Sequence, residues 1–139
     1  MDLPAPTAWP EQLRRELEAG QMSGVVGSVL VSETERVRVW HLRIPPGGRC
    51  GFHRHVLDYF WTAHNAGRAR TYAEDGSVTE HEYTAGETRH MHYAAGEFMV
   101  HNVENIGSTE LLFTTVEFLE GSANAPLPVP DSVRQREAA

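Results

Sequence analysis

The spacing of turns between residues 25 and 119 most constrains the fold, because short apolar or alternating segments there are separated by glycine-rich turns. One segment places Trp40 and Leu42 on the same face, as in a strand with one buried side. The Asp75-Gly76 pair predicts a hairpin. The predicted strands are residues 25–33, 36–44, 57–64, 68–73, 78–83, 88–93, 98–104 and 111–119, with a further strand at His53 and His55. About nine or ten short strands predict an all-β sandwich or small barrel.

The two ends of the chain have a different character. A short helix is predicted within residues 1–20, where Leu13 and Leu17 form one apolar stripe and Gly20 ends it. The tail contains alternating proline between residues 125 and 130, which favours an extended arm packed along a surface. We therefore expect a single domain of 139 residues, with an N-terminal helix and arm (1–24), a barrel (25–119) and a proline-rich C-terminal tail (120–139).

Composition excludes several classes of partner. The formal net charge is −7 and the longest basic cluster is the Arg14-Arg15 pair, which argues against nucleic acid or an anionic membrane as the main partner. No signal peptide or apolar run of membrane-spanning length is visible. The lone Cys50 cannot form an internal disulfide, and we expect it to be a packing residue. A cytoplasmic protein is the expectation.

Histidine is concentrated in the middle of the chain, with seven of the eight residues between positions 53 and 101. His53 and His55 follow a turn of prolines and glycines, and the side-chain period of a strand places both on one face. Two imidazoles so placed can share one divalent metal ion. His90 and His92 form a second pair of this kind, which we expect to line a pocket mouth or to bond at the surface.

Two groups of residues resemble the paired motifs of the cupin superfamily: Gly47, His53, His55 and Gly67 in the first, and Gly86, Gly96, His101 and Asn105 in the second. The resemblance covers about residues 37–119. It implies a cupin barrel (a double-stranded β-helix, or jelly roll) that holds a divalent metal through His53, His55 and His101. We expect Asn105 to fix a turn by bonding to backbone. A closer similarity is to small single-domain cupins, including the cupin associated with β-alanine degradation.

The family's first motif also contains a glutamate ligand, which this chain lacks. Its position falls at Tyr59 or Phe60, and Asp58 comes one residue early. Alternation predicts that Tyr59 shares the face of the histidines and that Asp58 points outwards, unless a β-bulge re-aims it. A site of three histidines resembles the thiol and diketone dioxygenases among the cupins. Fe2+, Ni2+, Mn2+ or Zn2+ would fit these ligands, and an anionic or chelating substrate should bind to the uncompensated ion.

The sequence therefore predicts a metal-dependent enzyme, of dioxygenase or Lewis-acid type, acting on a small polar or anionic metabolite. Tyr59 and His92 are the candidate catalytic residues, as proton-handling or orienting groups, although simple core packing is an equal alternative for Tyr59. A homodimer is expected, because small cupins exchange or pack such terminal extensions across a two-fold axis. Two alternatives stay open: a non-catalytic barrel that binds or senses a small molecule, and a structural barrel without metal.

Overall fold

The computed structural model describes residues 8–135, which form one helix, nine strands and a short 3-10 turn. The elements in chain order are α1 (Glu11–Gly20), β1 (Val29–Glu33), β2 (Val37–Ile44), β3 (His53–His55), β4 (Tyr59–Ala63), β5 (Gly67–Ala73), β6 (Val78–Tyr83), β7 (Thr88–Met91), β8 (Met99–Asn105), β9 (Leu111–Phe118) and the 3-10 turn Asp131–Val133. The all-β fold with a short N-terminal helix is confirmed. Within the described residues no helix is long and apolar enough to cross a membrane.

The strands form two facing sheets whose inner sides enclose the core. One sheet has the order β1-β2-β9-β4-β7 and the other the order β3-β8-β5-β6. All pairs within these sheets are antiparallel. Strand β9 lies at the centre of the larger sheet, and its side chains alternate between buried and half-buried positions. Core side chains come from both sheets: Leu42, Ile44, Ala63, Ala69, Val103, Leu111 and Phe113.

The predicted hairpin is present between β5 and β6. Gly76 has φ +88°, a conformation that favours glycine, and its amide donates to the carbonyl of Ala73. Asn105, which is fully buried, donates from Nδ2 to the carbonyls of Ile44 and Thr109 and accepts from the amide of Gly107. Asn105 therefore fixes the turn after β8, as the sequence predicted.

Helix α1 covers the outer face of the smaller sheet. Leu13 and Leu17 are buried and pack with Phe52 and Val100, the latter on β8. Full burial of a leucine contributes roughly 1.5–3 kcal/mol, so the narrow stripe is enough to hold a ten-residue helix against the sheet. The helix is shorter than the stretch of 1–20 in which it was predicted, and residues 1–7 lie outside the described part of the chain.

The C-terminal tail packs along the first two strands. Val129 and Val133 contact a cluster of buried side chains that includes Leu30 and Trp40. Leu30 also forms a parallel bridge with Arg134. The predicted packing of the tail along a surface is therefore found as far as residue 135. The structure describes a single chain, so the predicted homodimer stays a prediction.

Candidate metal centre

Three histidines from neighbouring strands meet inside the barrel. Strand β3 pairs with β8 so that His53 lies directly opposite His101, and His55 follows two residues later on the same face. One ring nitrogen from each of the three histidines lies within 4.8 Å of the other two. The Nε2 atoms of His55 and His101 are 3.1 Å apart. Two imidazoles bound at about 2.1 Å to one ion have a similar nitrogen separation, roughly 3 Å.

Burial keeps these three rings neutral. It lowers the pKa of His53 to about 4, and the hydrogen bond to the Gly51 carbonyl acts in the opposite direction. Burial is also the main reason why the pKa values of His55 and His101 lie well below the usual 6.5, and neighbouring histidines add to the effect. Neutral imidazole is the form that binds a metal ion.

Two different contacts orient the rings. Nδ1 of His53 lies 2.9 Å from the carbonyl oxygen of Gly51, so this nitrogen carries the proton and leaves Nε2 free to act as a ligand. His55 has a buried Nδ1 without a hydrogen-bond partner among the described residues. Its ring is instead held by stacking on Tyr59, with centroids 4.1 Å apart and planes 13° apart.

Tyr59 occupies the inner face of β4, as alternation predicted, and its side chain is buried. Burial raises the pKa of its phenol well above 10, with smaller contributions from Tyr93 and Glu117. Tyr59 is therefore a neutral phenol beside the histidines. Its position is compatible with both predicted roles, orientation of a ligand and core packing.

Asp58 points away from the histidines, as alternation predicted. Its carboxylate accepts a hydrogen bond of 2.9 Å from the Tyr93 amide and lies 3.1 Å from Nδ1 of His92. The Tyr93 amide, followed by His92, lowers the pKa of Asp58. Asp58 is therefore a surface partner of His92 and is outside the group that could hold a metal ion.

His92 bonds at the surface, which is one of the two positions predicted for it. Strand β7 ends at Met91, so strand alternation no longer determines where His92 points. Its side chain is 77% exposed and pairs with Asp58. The catalytic role of His92 stays a prediction, and its position does not favour that role. His90, on the outer face, contacts Phe60 with ring centroids 5.3 Å apart, in keeping with the predicted surface role.

A small cavity adjoins the three histidines, with a volume of about 70 Å³. Its wall is mainly apolar and aromatic, with contributions from Leu42, Tyr59, Trp61, Tyr83, Val103 and Phe113. Thr71 and Thr115 add hydroxyl groups. A single water molecule occupies roughly 10–15 Å³ of such a cavity volume, so the cavity has room for a few non-hydrogen atoms. No Asp, Glu, Lys or Arg lines the cavity within the described residues.

Cys50 and Arg54 have structural roles. Burial raises the pKa of the Cys50 thiol to about 11, and its sulfur accepts from the Val103 amide, which agrees with the predicted packing role. Arg54 lies between the two histidines of β3 and faces outwards. It donates to the Gln21 carbonyl at 2.7 Å and lies 4.0 Å from the centre of the Phe98 ring.

A carboxylate that was not predicted from the sequence, Glu117, is buried inside the barrel. It lies on the inner face of β9, directly opposite Tyr59, and is only 3% exposed. Its Oε1 accepts a hydrogen bond of 2.8 Å from Nε1 of Trp40. Burial raises the pKa of Glu117 to about 7. The alternation of Phe113, Thr115 and Glu117 along β9 was the available signal.

Comparisons with known proteins support the fold and the family. No protein-family model matches the chain, and no curated protein matches it. A cupin domain from Bordetella pertussis Tohama I is 31% identical, with a TM-score of 0.57, over 70% of this chain and 95% of that chain. A Klebsiella pneumoniae protein with a double-stranded β-helix domain is 25% identical, with a TM-score of 0.50, over 71% of this chain and 75% of that one.

A cupin family protein from Methanocaldococcus jannaschii, with a double-stranded β-helix fold, is 23% identical and has a TM-score of 0.50, over 70% of this chain and 76% of that one. None of these three names mentions β-alanine degradation, so that closer similarity stays a prediction. The Bordetella domain is matched over nearly its whole length, and the motif histidines of this chain meet inside a barrel of the same fold. The chain belongs to the cupin superfamily.

Proposed function

We propose that this cupin binds a divalent metal ion through His53, His55 and His101 and is an enzyme acting on a small polar or anionic metabolite. The supporting observation is the convergence of three neutral imidazoles on one point beside a cavity. The donor set suits Fe2+, Ni2+, Mn2+ or Zn2+, because all four accept imidazole ligands. When bound, such an ion supplies Lewis-acid or redox chemistry.

The residues around the histidines determine what could bind there. The wall of the cavity is mainly aromatic and apolar, and the hydroxyls of Thr71 and Thr115 offer hydrogen bonds to a polar group. Tyr59, stacked on His55, could hold a substrate oxygen with its phenol while fixing the imidazole. The size of the cavity limits the part of the substrate that enters it to a few non-hydrogen atoms.

The first test is the metal content of the purified full-length protein, measured by mass spectrometry after expression with iron, manganese, nickel and zinc supplied. We expect about one ion per chain in the parent protein. His101→Ala should reduce this content to a trace. His64→Ala is the matched control, because His64 is exposed and bonds to Thr114 on the outer surface. Only trace metal in the parent protein, or a content unchanged by His101→Ala, would contradict the proposal.

The second test separates an enzyme from a binding protein. Iron-loaded protein is mixed without oxygen with small thiols and diketones, and oxygen consumption is followed after air is admitted. Oxygen uptake that depends on both iron and one of these compounds would support the dioxygenase version. Binding without any uptake or change in the compound would instead favour a sensing or carrier role.

A further inference from the structure

Arg89 lies on the cavity side of the larger sheet, at its free edge. Strand β7 is the edge strand beside β4, and the two pair so that Arg89 lies directly opposite Trp61. Directly opposite residues on antiparallel strands project to the same face. Trp61 lines the cavity, so Arg89 projects on the inner face beside it. Its side chain is 56% exposed, which places it at the rim of the barrel.

The cluster around Arg89 joins the free edges of the two sheets. Nε2 of His81, on β6, lies 2.7 Å from a carboxylate oxygen of Glu87, which precedes β7. The His81 ring contacts Tyr83, with ring centroids 4.6 Å apart. Tyr83 in turn contacts Trp61, with centroids 5.4 Å apart. The charged cluster thus lies against the aromatic wall of the cavity.

The guanidinium of Arg89 is largely unused. Its Nε lies 3.4 Å from Glu87, and its two Nη groups have no partner among residues 8–135. Glu87 does not depend on this contact, since His81 and the Thr84 amide both bond to its carboxylate. By contrast, the guanidinium groups of Arg68 and Arg70 both bond to Glu80 at 2.9 Å.

We propose that Arg89 is a specificity-determining residue that binds the carboxylate of the substrate through its two free Nη groups. The inference rests on the proposed function, because the other end of the substrate would reach the metal bound by the histidines. Two parallel bonds from a guanidinium match the geometry of a carboxylate.

The strand register places Arg89 a short way along the barrel from the histidines. Tyr59 stacks on His55, and Trp61, which lies opposite Arg89, is two residues further along β4, about 7 Å from Tyr59 along the strand. The substrate class that fits this placement of Arg89 is a short bifunctional acid, with a metal-binding group at one end and a carboxylate at the other. The few atoms between them would lie against Trp61 and Phe113, which both line the cavity.

The test compares two probes that differ only at the end facing Arg89. Succinate carries two carboxylates, and in succinamate the far carboxylate is an amide. Each is titrated into Co2+-loaded full-length protein, and binding is followed through the visible absorption of the cobalt. We expect Arg89→Gln to weaken succinate binding about tenfold and to leave succinamate binding unchanged, because only succinate offers the second charge. Arg89→Lys should weaken succinate binding less, because it keeps the charge but loses the planar fork.

Arg68→Gln is the matched control, because this exposed arginine projects from the face of β5 opposite to that of the cavity-lining Thr71, and its guanidinium is paired with Glu80. It should leave the binding of both probes unchanged. If Arg89→Gln weakens both probes equally, or neither, the inference is overturned while the proposed function stands. If the parent protein binds no Co2+, the proposed function fails and this inference fails with it.

Discussion

Replacing Glu117 with glutamine is expected to stabilise the protein at and above neutral pH. Glu117 is 3% exposed, and Trp40 donates to its Oε1 at 2.8 Å. Glutamine has nearly the same shape and keeps an oxygen that can accept from Trp40. The substitution therefore removes the ionisation of the side chain with little change in packing.

The size of the effect follows from the pKa of Glu117, which burial raises from 4.5 to about 7. The hydrogen bond from Trp40 and the charge of Arg38 act in the opposite direction, and Glu33 adds to the rise. The two pKa values differ by about 2.5, and each pH unit corresponds to 1.36 kcal/mol, so the linked free energy is about 3 kcal/mol.

The sign follows from which state holds the proton. Below pH 4.5 the Glu117 carboxyl is protonated in the folded and unfolded states alike, so its ionisation takes nothing from the free energy of unfolding. Between pH 4.5 and 7 the folded state keeps the proton that the unfolded state has released, so the free energy of unfolding falls as pH rises. Above pH 7 the loss is complete. Glutamine undergoes no such loss.

The assay is urea unfolding of the metal-free protein at pH 5 and pH 8. About 0.8 kcal/mol of the loss has already occurred at pH 5, so the glutamine variant should gain about 2.5 kcal/mol over the parent between these conditions, equivalent to roughly 9 °C in melting temperature. The buried histidines, whose pKa values are lowered, make stability rise with pH instead, but they are present in both proteins and cancel in the difference.

Glu110→Gln is the control for this experiment, because Glu110 forms an ion pair with Arg43 on the surface. Its stability should follow that of the parent protein at both pH values within about 1 kcal/mol. Parallel pH profiles for the parent and Glu117→Gln would show that Glu117 is ionised in the folded protein, and the reasoning from burial would be wrong.

Two further predictions concern positions that hold the barrel and its helix in place. Asn105→Ala should lower the free energy of unfolding by roughly 2–4 kcal/mol, because it leaves the Ile44 carbonyl and the Gly107 amide without their buried partner. Urea unfolding measures this free energy, and a loss under about 1 kcal/mol would contradict the prediction. Gly20→Ala should also lower the free energy of unfolding, by roughly 1–3 kcal/mol, because the new Cβ would overlap the backbone carbonyl of Phe52. This loss is expected even though alanine has a higher helix propensity than glycine. Gly51→Ala is the control, since its Cβ would meet nothing within 4 Å, and equal losses for the two glycines would refute the packing argument.

Local signals were sufficient for much of the fold. The Asp75-Gly76 turn and the alternation in residues 36–44 depend on the backbone and on neighbouring side chains, and both features are present. The histidine face was predictable for the same reason, since His53 and His55 lie within one short strand. Only the motif resemblance connected His101 to them, because their meeting depends on the pairing of β3 with β8.

Other features depend on contacts that the sequence does not encode locally. The predicted strand 88–93 placed His92 on the same face as His90, but β7 ends at Met91 and His92 lies beyond it. Alternation could have placed Glu117 inside the barrel, but not its bond with Trp40, which lies 77 residues away along the chain. The role of Arg89 likewise depends on which strand pairs with β4.

The missing carboxylate ligand shows how strand geometry determines the charge of this site. Strand β4 pairs with β7 and β9 in continuous register from Tyr59 onwards and places Tyr59 on the inner face, while Asp58, just before the strand, bonds outwards to His92. The nearest buried carboxylate, Glu117, is one strand away and is largely protonated below pH 7 because of its burial. A divalent ion held by three neutral imidazoles would therefore keep most of its charge in a cavity of low dielectric constant. An anionic substrate is the natural source of the compensating charge, which is why the search for a substrate should begin with small carboxylates.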